Sequence, residues 1–471
     1  MSRIILIEFN ELCPPLLDRW MAEGELPNFK RLHDRADVFV TESDERQAPN
    51  LEPWIQWYSL HTGIPYQTHR VFHLTDGPKA GHADIWQHLL DAGRTVWNCS
   101  SMNAKRLSGD RALFLPDPWC TSEPAHPAEL GIFHRFVASR VQEYSNSDQP
   151  ASLAEAARFV AFMATHGLQV GTVAAIVSQL AAERLKDRAL AWKRAALLDR
   201  LQFDVFRHYY RRRQPDFATF FANSTAHLQH TYWRCMDPDA FTIKPTEQDL
   251  ALFRGAVLFG YRQMDRLVGD FLALAAQSGA TLMFATALSQ QPYLKYEASG
   301  GHNFYRPRRV ESLLDEIGVQ PQSVFPVMTH QYLVTFRTEQ ERNEAEQRLA
   351  AVEVDGHQVF NFDPTNEPAS LYFGCGVNQR LPENAMMRMS RNANAARPFF
   401  EQFYRIDALK SGRHHPDGCF WVATGRHRRH EGKVSILDVA PTILARFGVR
   451  APGMTGRDLL AVAEGGREQA A

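Results

Sequence analysis

The opening stretch of the chain constrains the fold more than any other. Ile4 to Phe9 is a short, continuous, isoleucine-rich apolar run, closed at once by the polar Asn10 and Glu11. A run of that length, apolar at both alternating sets of positions, suits a strand buried on both faces. Pro14 and Pro15 then open LLDRWMAEGELPNFKRL, a helical segment, since proline is tolerated in a first helical turn. Strand, turn and helix in that order predict a parallel sheet covered by helices. In such sheets, polar groups at a strand's carboxyl end face the ligand crevice, and here those groups are Glu8, Asn10 and Glu11.

The same alternation recurs downstream. Thr95 to Cys99, Phe217 to Ala222, Thr281 to Thr286 and Phe420 to Ala423 read as further central strands, and the amphipathic RQMDRLVGDFLALAAQSG precedes TLMFAT. The expected fold class is therefore α/β: a doubly wound, mostly parallel sheet with helices on both faces. A length of 471 residues with 44% hydrophobic and 22% charged content suits one large core with insertions. Residues 1–150, 214–320 and 401–460 are assigned to the core. Residues 151–213, rich in alanine, leucine and arginine, read as a helical cap. Residues 321–400 contain YLVTF, TEQERNEAEQRLAAV, HQVFNF and ASLYFG, the makings of a small α+β insertion. Residues 461–471 read as a loose tail.

A formal net charge of -1 gives no general reason to expect a nucleic-acid partner. No apolar stretch approaches the ~20 residues of a membrane span, and no basic, apolar and small-residue succession precedes Ile4, so a secretory signal is not expected. The six cysteines, Cys13, Cys99, Cys120, Cys235, Cys375 and Cys419, lack short paired spacings and read as reduced thiols of a cytoplasmic protein. The cluster His208 to Arg213 reads as a helix end whose positive charge the helix dipole favours, or as a contact with an anionic substrate or, peripherally, with a membrane surface.

Four segments carry a family resemblance. SGRHHPDGCFWVATG followed by VSILDVAPTILARFGVRAPGMTGRDLL resembles the closing segment of type I phosphodiesterases of the alkaline phosphatase superfamily, through His414, Gly418, Gly425, Asp438, Pro441, Thr442, Leu444, Gly448, Gly456 and Arg457. NSTAHLQHTYWRCMD is similar to a Thr-Asp-Arg-x-Gln-His-x-x-Trp segment of a bacterial branch, through Thr225, Gln229, His230 and Trp233. IILIEFNELCPPLLD resembles the family's first strand. EPWIQWYSLHTGIPYQTHRVF resembles its nucleophile region, through Trp57, Ser59, Thr62, Gly63 and His69.

The resemblance implies an alkaline phosphatase-like fold and two divalent cations that activate a nucleophile for in-line phosphoryl transfer. It also shows where this chain departs. Asn10 stands at the metal-binding aspartate of the first strand, flanked by Glu8 and Glu11. Glu52, before Pro53, stands at the usual threonine or serine nucleophile. Ala226 replaces a metal-binding aspartate, and Ala287, Leu288, Ser289 and Gln290 stand where Ser-Asp-His-Gly supplies two ligands. His230 and His414 retain ligand positions. The expected metal set is therefore His230 and His414 with His227 and Glu8, holding zinc, or manganese or magnesium, if a metal is bound at all. His227 lies three residues before His230, a spacing that works on a helix.

Each residue also has a plainer reading. His227, His230 and His414 could be satisfied core histidines. Glu52 could be a carboxylate favoured at a helix start, or a ligand, general base or nucleophile. Asn10, the other catalytic candidate, could satisfy loop amides. Trp57, His302, Arg306 and His415 are the substrate-binding candidates, with Arg306 in the basic segment GGHNFYRPRR suited to phosphate. The expected activity is hydrolysis or transfer at a phosphodiester or pyrophosphate bond of a small anionic substrate. Chains with EPWIQW and HHPDG resemble phosphodiesterase-like proteins of surface-polysaccharide systems, which implies a nucleotide-sugar or glycan phosphate. The competing reading is an inactive member of the fold that serves as a binding or scaffold module.

Overall fold

A computed structural model describes residues 3–120, 122–143, 152–327, 330–365, 367–389, 396–406 and 409–462. The boundary expected near residue 150, and residues 463–471 of the expected tail, lie outside that set. The core is an eight-stranded sheet. β1 (Arg3–Phe9), β2 (Ala36–Glu42), β3 (Val96–Cys99), β4 (Ala112–Leu115), β5 (Phe217–Ala222) and β6 (Ala280–Thr286) belong to it; β7 (Ser289–Pro292) and β8 (Gly412–His415) pair as a separate two-stranded sheet; and β9 (Asp417–Ala423) and β10 (Arg428–Ser435) complete the eight. The spatial order is β10-β2-β9-β6-β1-β5-β3-β4. All neighbouring pairs are parallel except those of β9, which runs antiparallel to both β2 and β6. The doubly wound, mostly parallel architecture expected from the strand–helix alternation is what forms.

Strand alternation sorts β1 into two cores. Ile5, Ile7 and Phe9 face a layer that includes Leu17, Phe29, Phe206, Tyr261 and Phe271. Ile4 and Leu6 face Trp57, Trp86, Leu89 and Ile443. Both faces being covered explains why β1 is apolar without interruption until Glu8.

The segment 151–213 is helical as expected, but it does not act as one unit. Leu153–Thr165 packs on the helix Leu130–Glu143 and Val170–Leu185 packs on the residues that follow it, whereas Ala195–Arg213 lies on the sheet. Phe206 of that last helix packs on Trp97 of β3 and Phe220 of β5. Arg211, Arg212 and Arg213 are exposed in its final turn. The small α+β unit has its own core, running from Tyr305 to Phe403, around a four-stranded sheet and the helix Glu339–Ala350.

The C-terminal Asp-x-x-Pro-Thr and Gly-Arg motifs work as a clasp. Asp438 accepts the Arg457 backbone N–H at 2.9 Å, and Thr442 Oγ1 accepts that of Leu459 at 2.9 Å. A Cβ on Gly456 would sit 2.0 Å from the Leu437 carbonyl oxygen, so only glycine allows this approach. Similarly, Ser59 Oγ meets His69 Nε2 at 2.9 Å in the interior, and Gly63, at φ +61°, ends the helix Pro53–Thr62. These motif residues hold the fold together and do not face the crevice chemistry.

Candidate metal centre at the carboxyl edge of the sheet

The site forms where β1, β5 and β6 end side by side. Asn10 continues the side of β1 that carries Glu8, and therefore meets the helix Pro53–Thr62. Trp57 Nε1–H donates to Asn10 Oδ1 at 2.8 Å. The Asn10 amide nitrogen donates to Glu11 Oε1 at 2.8 Å and to Asn223 Oδ1, just past β5, at 2.7 Å. Glu11 adopts φ +61°, a left-handed conformation costing a non-glycine residue roughly 1–2 kcal/mol. Such local strain is typical of functional positions.

Two distant histidines meet the Glu11 carboxylate. His230, on the helix Ser224–Met236 that follows β5, places Nε2 3.0 Å from Glu11 Oε2. His414 reaches the same edge because β9 runs antiparallel, so the chain enters it from the carboxyl side. On β8, paired with β7, His414 places Nε2 3.5 Å from the same oxygen. Each ring has its other nitrogen 2.9 Å from a backbone carbonyl: His230 Nδ1 at Gly412, His414 Nδ1 at Leu51. A ring nitrogen must carry hydrogen to make that contact, so the network assigns the proton to Nδ1 in both. The two Nε2 atoms then converge on a carboxylate oxygen, an arrangement satisfied by a proton on a ring or by a cation shared among the three.

The electrostatics agree. Burial alone would raise Glu11, but His230 and then His414 outweigh it and bring the carboxyl down to about 2. Burial, opposed by Glu11, brings His414 down to about 4, leaving its imidazole neutral at pH 7. Donor atoms of Glu11, His230 and His414 all lie within 4.8 Å of one another. One carboxylate and two imidazoles, with each Nδ1–H anchored to a backbone carbonyl, suit zinc or a similar cation.

Gln290 closes the other side. Its amide nitrogen donates to Glu11 Oε2 at 2.5 Å and to the Ala226 carbonyl at 3.0 Å. Gln229 Nε2 donates to the Glu11 carbonyl at 2.8 Å and is itself held by Tyr261.

Glu52 caps the helix Pro53–Thr62 by position but makes no side-chain capping bond. Its Oε2 lies 3.4 Å from His414 Nδ1. Burial pushes its carboxyl up to about 8, with Lys410 opposing and Glu11 and Asp363 adding. Because this folded value exceeds the ordinary 4.5, charging Glu52 disfavours the fold. The associated stability is fully present below pH 4.5 and lost as pH rises through about 8. In chelator-treated protein, Glu52→Gln is expected to match the parent near pH 4 and exceed it in denaturant unfolding by about pH 9. Equal stability at both pH values would show that Glu52 is solvated.

The remaining sequence candidates fall as follows. Glu8 is fully buried and meets His61 Nε2 at 2.9 Å; it is not in the Glu11–His230–His414 group. His227 lies outside that group too, with its pKa lowered to about 4 by burial and then by His230. Trp57, expected to contact substrate, is completely buried and acts on Asn10. Arg306, expected to bind phosphate, is also corrected: it is 1% exposed, inside the α+β unit, over the Tyr332 ring. The alternation of side chains along β8 separates His415 from His414, and His415 Nδ1 accepts the Asp417 N–H. His302 packs beside Phe304 and Tyr296. Its carbonyl accepts from the backbone N–H of Lys410, whose ammonium lies 5.4 Å from the Tyr293 ring centre.

Sequence reasoning did not include Glu11 among the ligands, although it noted the residue beside Asn10. The signal was a second carboxylate at the strand end. The backbone turn that aims it was not readable. Lys410 gave no signal at all.

No family model matches this chain, and no curated protein matches it. Among solved structures it is similar to phosphonoacetate hydrolase from Sinorhizobium meliloti 1021 in complex with phosphonoformate, at 15% identity and TM-score 0.43, covering 93% of this chain and 94% of that one. It is similar to murine ectonucleotide pyrophosphatase/phosphodiesterase 5 in complex with AMP, at 9% identity and TM-score 0.42, covering 97% of each. It is similar to a mutant of the alkaline phosphatase PafA, at 12% identity and TM-score 0.48, covering 98% of this chain and 99% of that one.

Proposed function

We propose that this chain is a member of the alkaline phosphatase superfamily that hydrolyses phosphate esters with one bound cation in place of two. The observation that carries the reading is the meeting of Glu11, His230 and His414, with both imidazoles oriented by backbone carbonyls. A single cation is favoured because two positions that resemble lost ligands bond to each other: Gln290 donates to the carbonyl of Ala226.

Glu11, His230 and His414 would hold the cation, which would polarise a phosphoryl oxygen and make a bound water acidic enough to attack near neutral pH. Asn10, itself fixed by Trp57, holds the Glu11 carboxylate in place. Glu52 keeps a proton near neutral pH and can give it to the departing ester oxygen. Lys410, whose charge acts on Glu52 and His414, supplies a positive charge for an anionic substrate group. The bond cleaved is a phosphodiester or pyrophosphate, with a nucleotide-sugar or glycan phosphate as the substrate to test first. Six buried, unpaired cysteines fit a reducing compartment such as the cytoplasm.

The same Gln290–Ala226 contact favours a second reading, a binding module that has lost catalysis. Metal content and turnover separate the two. Purified protein is expected to hold about one equivalent of metal, and the double variant His230→Ala, His414→Ala none. A phosphodiester and a nucleotide sugar should be hydrolysed with zinc, manganese or magnesium added. Metal-free protein with no turnover under any of the three cations leaves the binding module as the better account.

A further inference from the structure

The helix Val170–Leu185 turns an apolar face to solvent. On Val170–Leu185, Val170 is 86% exposed, Val177 61%, Leu180 49% and Leu185 82%, with Val173 between them at 42%. Their spacing puts them on one side of the helix. The opposite side is the packed one, carrying buried Thr172 and Glu183. From Val170 to Ala182 there is no charged residue at all. An apolar face of this extent on a soluble domain marks a surface that something covers.

Charge indicates what covers it. Beyond one end of the stripe stand the exposed Arg184, Lys186 and Arg188. At the other end, the Gly167 turn packs tightly on Asp204 and His208, and Arg212 reaches His208 from the next turn, between the exposed Arg211 and Arg213. Nearby acids are engaged locally. Glu183 pairs with Arg194, whose Nε lies 2.8 Å from Oε1; Asp187 accepts the Ala189 N–H at 2.8 Å and Asp204 that of Gln169 at 3.0 Å. The stripe is therefore bracketed by positive charge at both ends.

A second copy of the chain would set basic end against basic end in either orientation, so self-association is disfavoured. A protein partner would ordinarily find aromatic anchors and hydrogen-bonding side chains at the centre. Here valine, leucine and alanine dominate, and Ser178 is the one exposed polar side chain between Val170 and Ala182. An apolar stripe flanked by lysine and arginine matches an anionic bilayer, with the apolar side chains entering the headgroup boundary and the cations meeting lipid phosphates. Among the described residues no helix is long and apolar enough to cross a membrane, so this helix would lie on the surface.

We propose that the apolar face of Val170–Leu185, with its basic ends, docks this protein on an anionic lipid bilayer. The inference does not depend on the metal centre. The full chain is expected to co-sediment with vesicles of phosphatidylcholine plus phosphatidylglycerol, far less with phosphatidylcholine alone, and less as salt rises. The variant Val173→Glu, Val177→Glu, Leu180→Glu should weaken binding at least about tenfold. Arg184→Gln, Lys186→Gln, Arg188→Gln should do the same. All six positions are exposed, so an unchanged circular dichroism spectrum should accompany both losses. The proposal is overturned by equal retention on the two vesicle types, or by binding that survives the triple glutamate change. A stable dimer in solution that the glutamates dissociate would also overturn it.

Discussion

Glu11→Gln is expected to strip the protein of its metal and abolish phosphodiesterase turnover while leaving it folded. The change keeps the shape of the side chain but removes the negative charge that His230 and His414 oppose. A glutamine amide can donate to an Nε2 lone pair, and its one oxygen still accepts from Asn10, so the metal-free site loses only the acceptor that Oε2 offers Gln290. Without the carboxylate, two imidazoles remain. Loss of an outer partner alone costs 10- to 100-fold in metal affinity, and loss of a direct ligand should exceed about a hundredfold. Metal content by mass spectrometry, turnover and a thermal melt give the three readouts. Glu8→Gln is the informative companion. Glu8 meets His61 in the interior, so its loss should lower stability and leave metal content unchanged. The reverse pattern, metal kept without Glu11 and lost without Glu8, would place the centre around the wrong carboxylate.

Gly412→Ala is expected to cost both stability and metal. A Cβ there would sit 2.1 Å from Gln290 Oε1 and 2.7 Å from the Gln229 carbonyl oxygen. The glutamine could rotate, but the second contact is helix backbone. Relieving it means moving β8 away from the helix Ser224–Met236, and with it the Gly412 carbonyl that orients His230. Overpacking of this kind costs about 1–3 kcal/mol, read as a lower denaturant midpoint, and metal retention should fall in parallel. Gly171→Ala is the control. Gly171 is helical, at ordinary φ, with nothing within 4 Å of a new Cβ, so it should be neutral or gain up to about 1 kcal/mol. If Gly412→Ala unfolds like the control and keeps its metal, then the contact between β8 and this helix is looser than the distances indicate.

How much of this was legible can be judged from single residues. His230 and His414 could be paired from motif order alone, although 184 positions separate them, because each stands in a segment with a recognisable neighbourhood. Trp57 and Arg306 were misjudged for the opposite reason. Tryptophan and arginine are equally at home at a ligand or in a core, and only burial tells which. Trp57 proved to be a brace for Asn10, and Arg306 a cation held over Tyr332. Ser59, Thr62, Gly63 and His69 carried a resemblance, yet they bind one another and the backbone around them.

What the chain's one-dimensional order determined was the layering: apolar runs too short for helices, alternating with amphipathic stretches, admit little besides a covered parallel sheet, since each strand must bury both faces. The identity of the carboxylate was decided elsewhere. Whether Glu8, Asn10 or Glu11 reaches the histidines depends on strand parity and on one left-handed turn at φ +61°. That turn is held by Gln229 on its carbonyl and Gln290 on its carboxylate, both distant in the chain, and no local preference of a glutamate encodes it. The exposed valine stripe is similar: its apolar period could be read as helix, but whether a neighbour covers it is a property of the assembled surface.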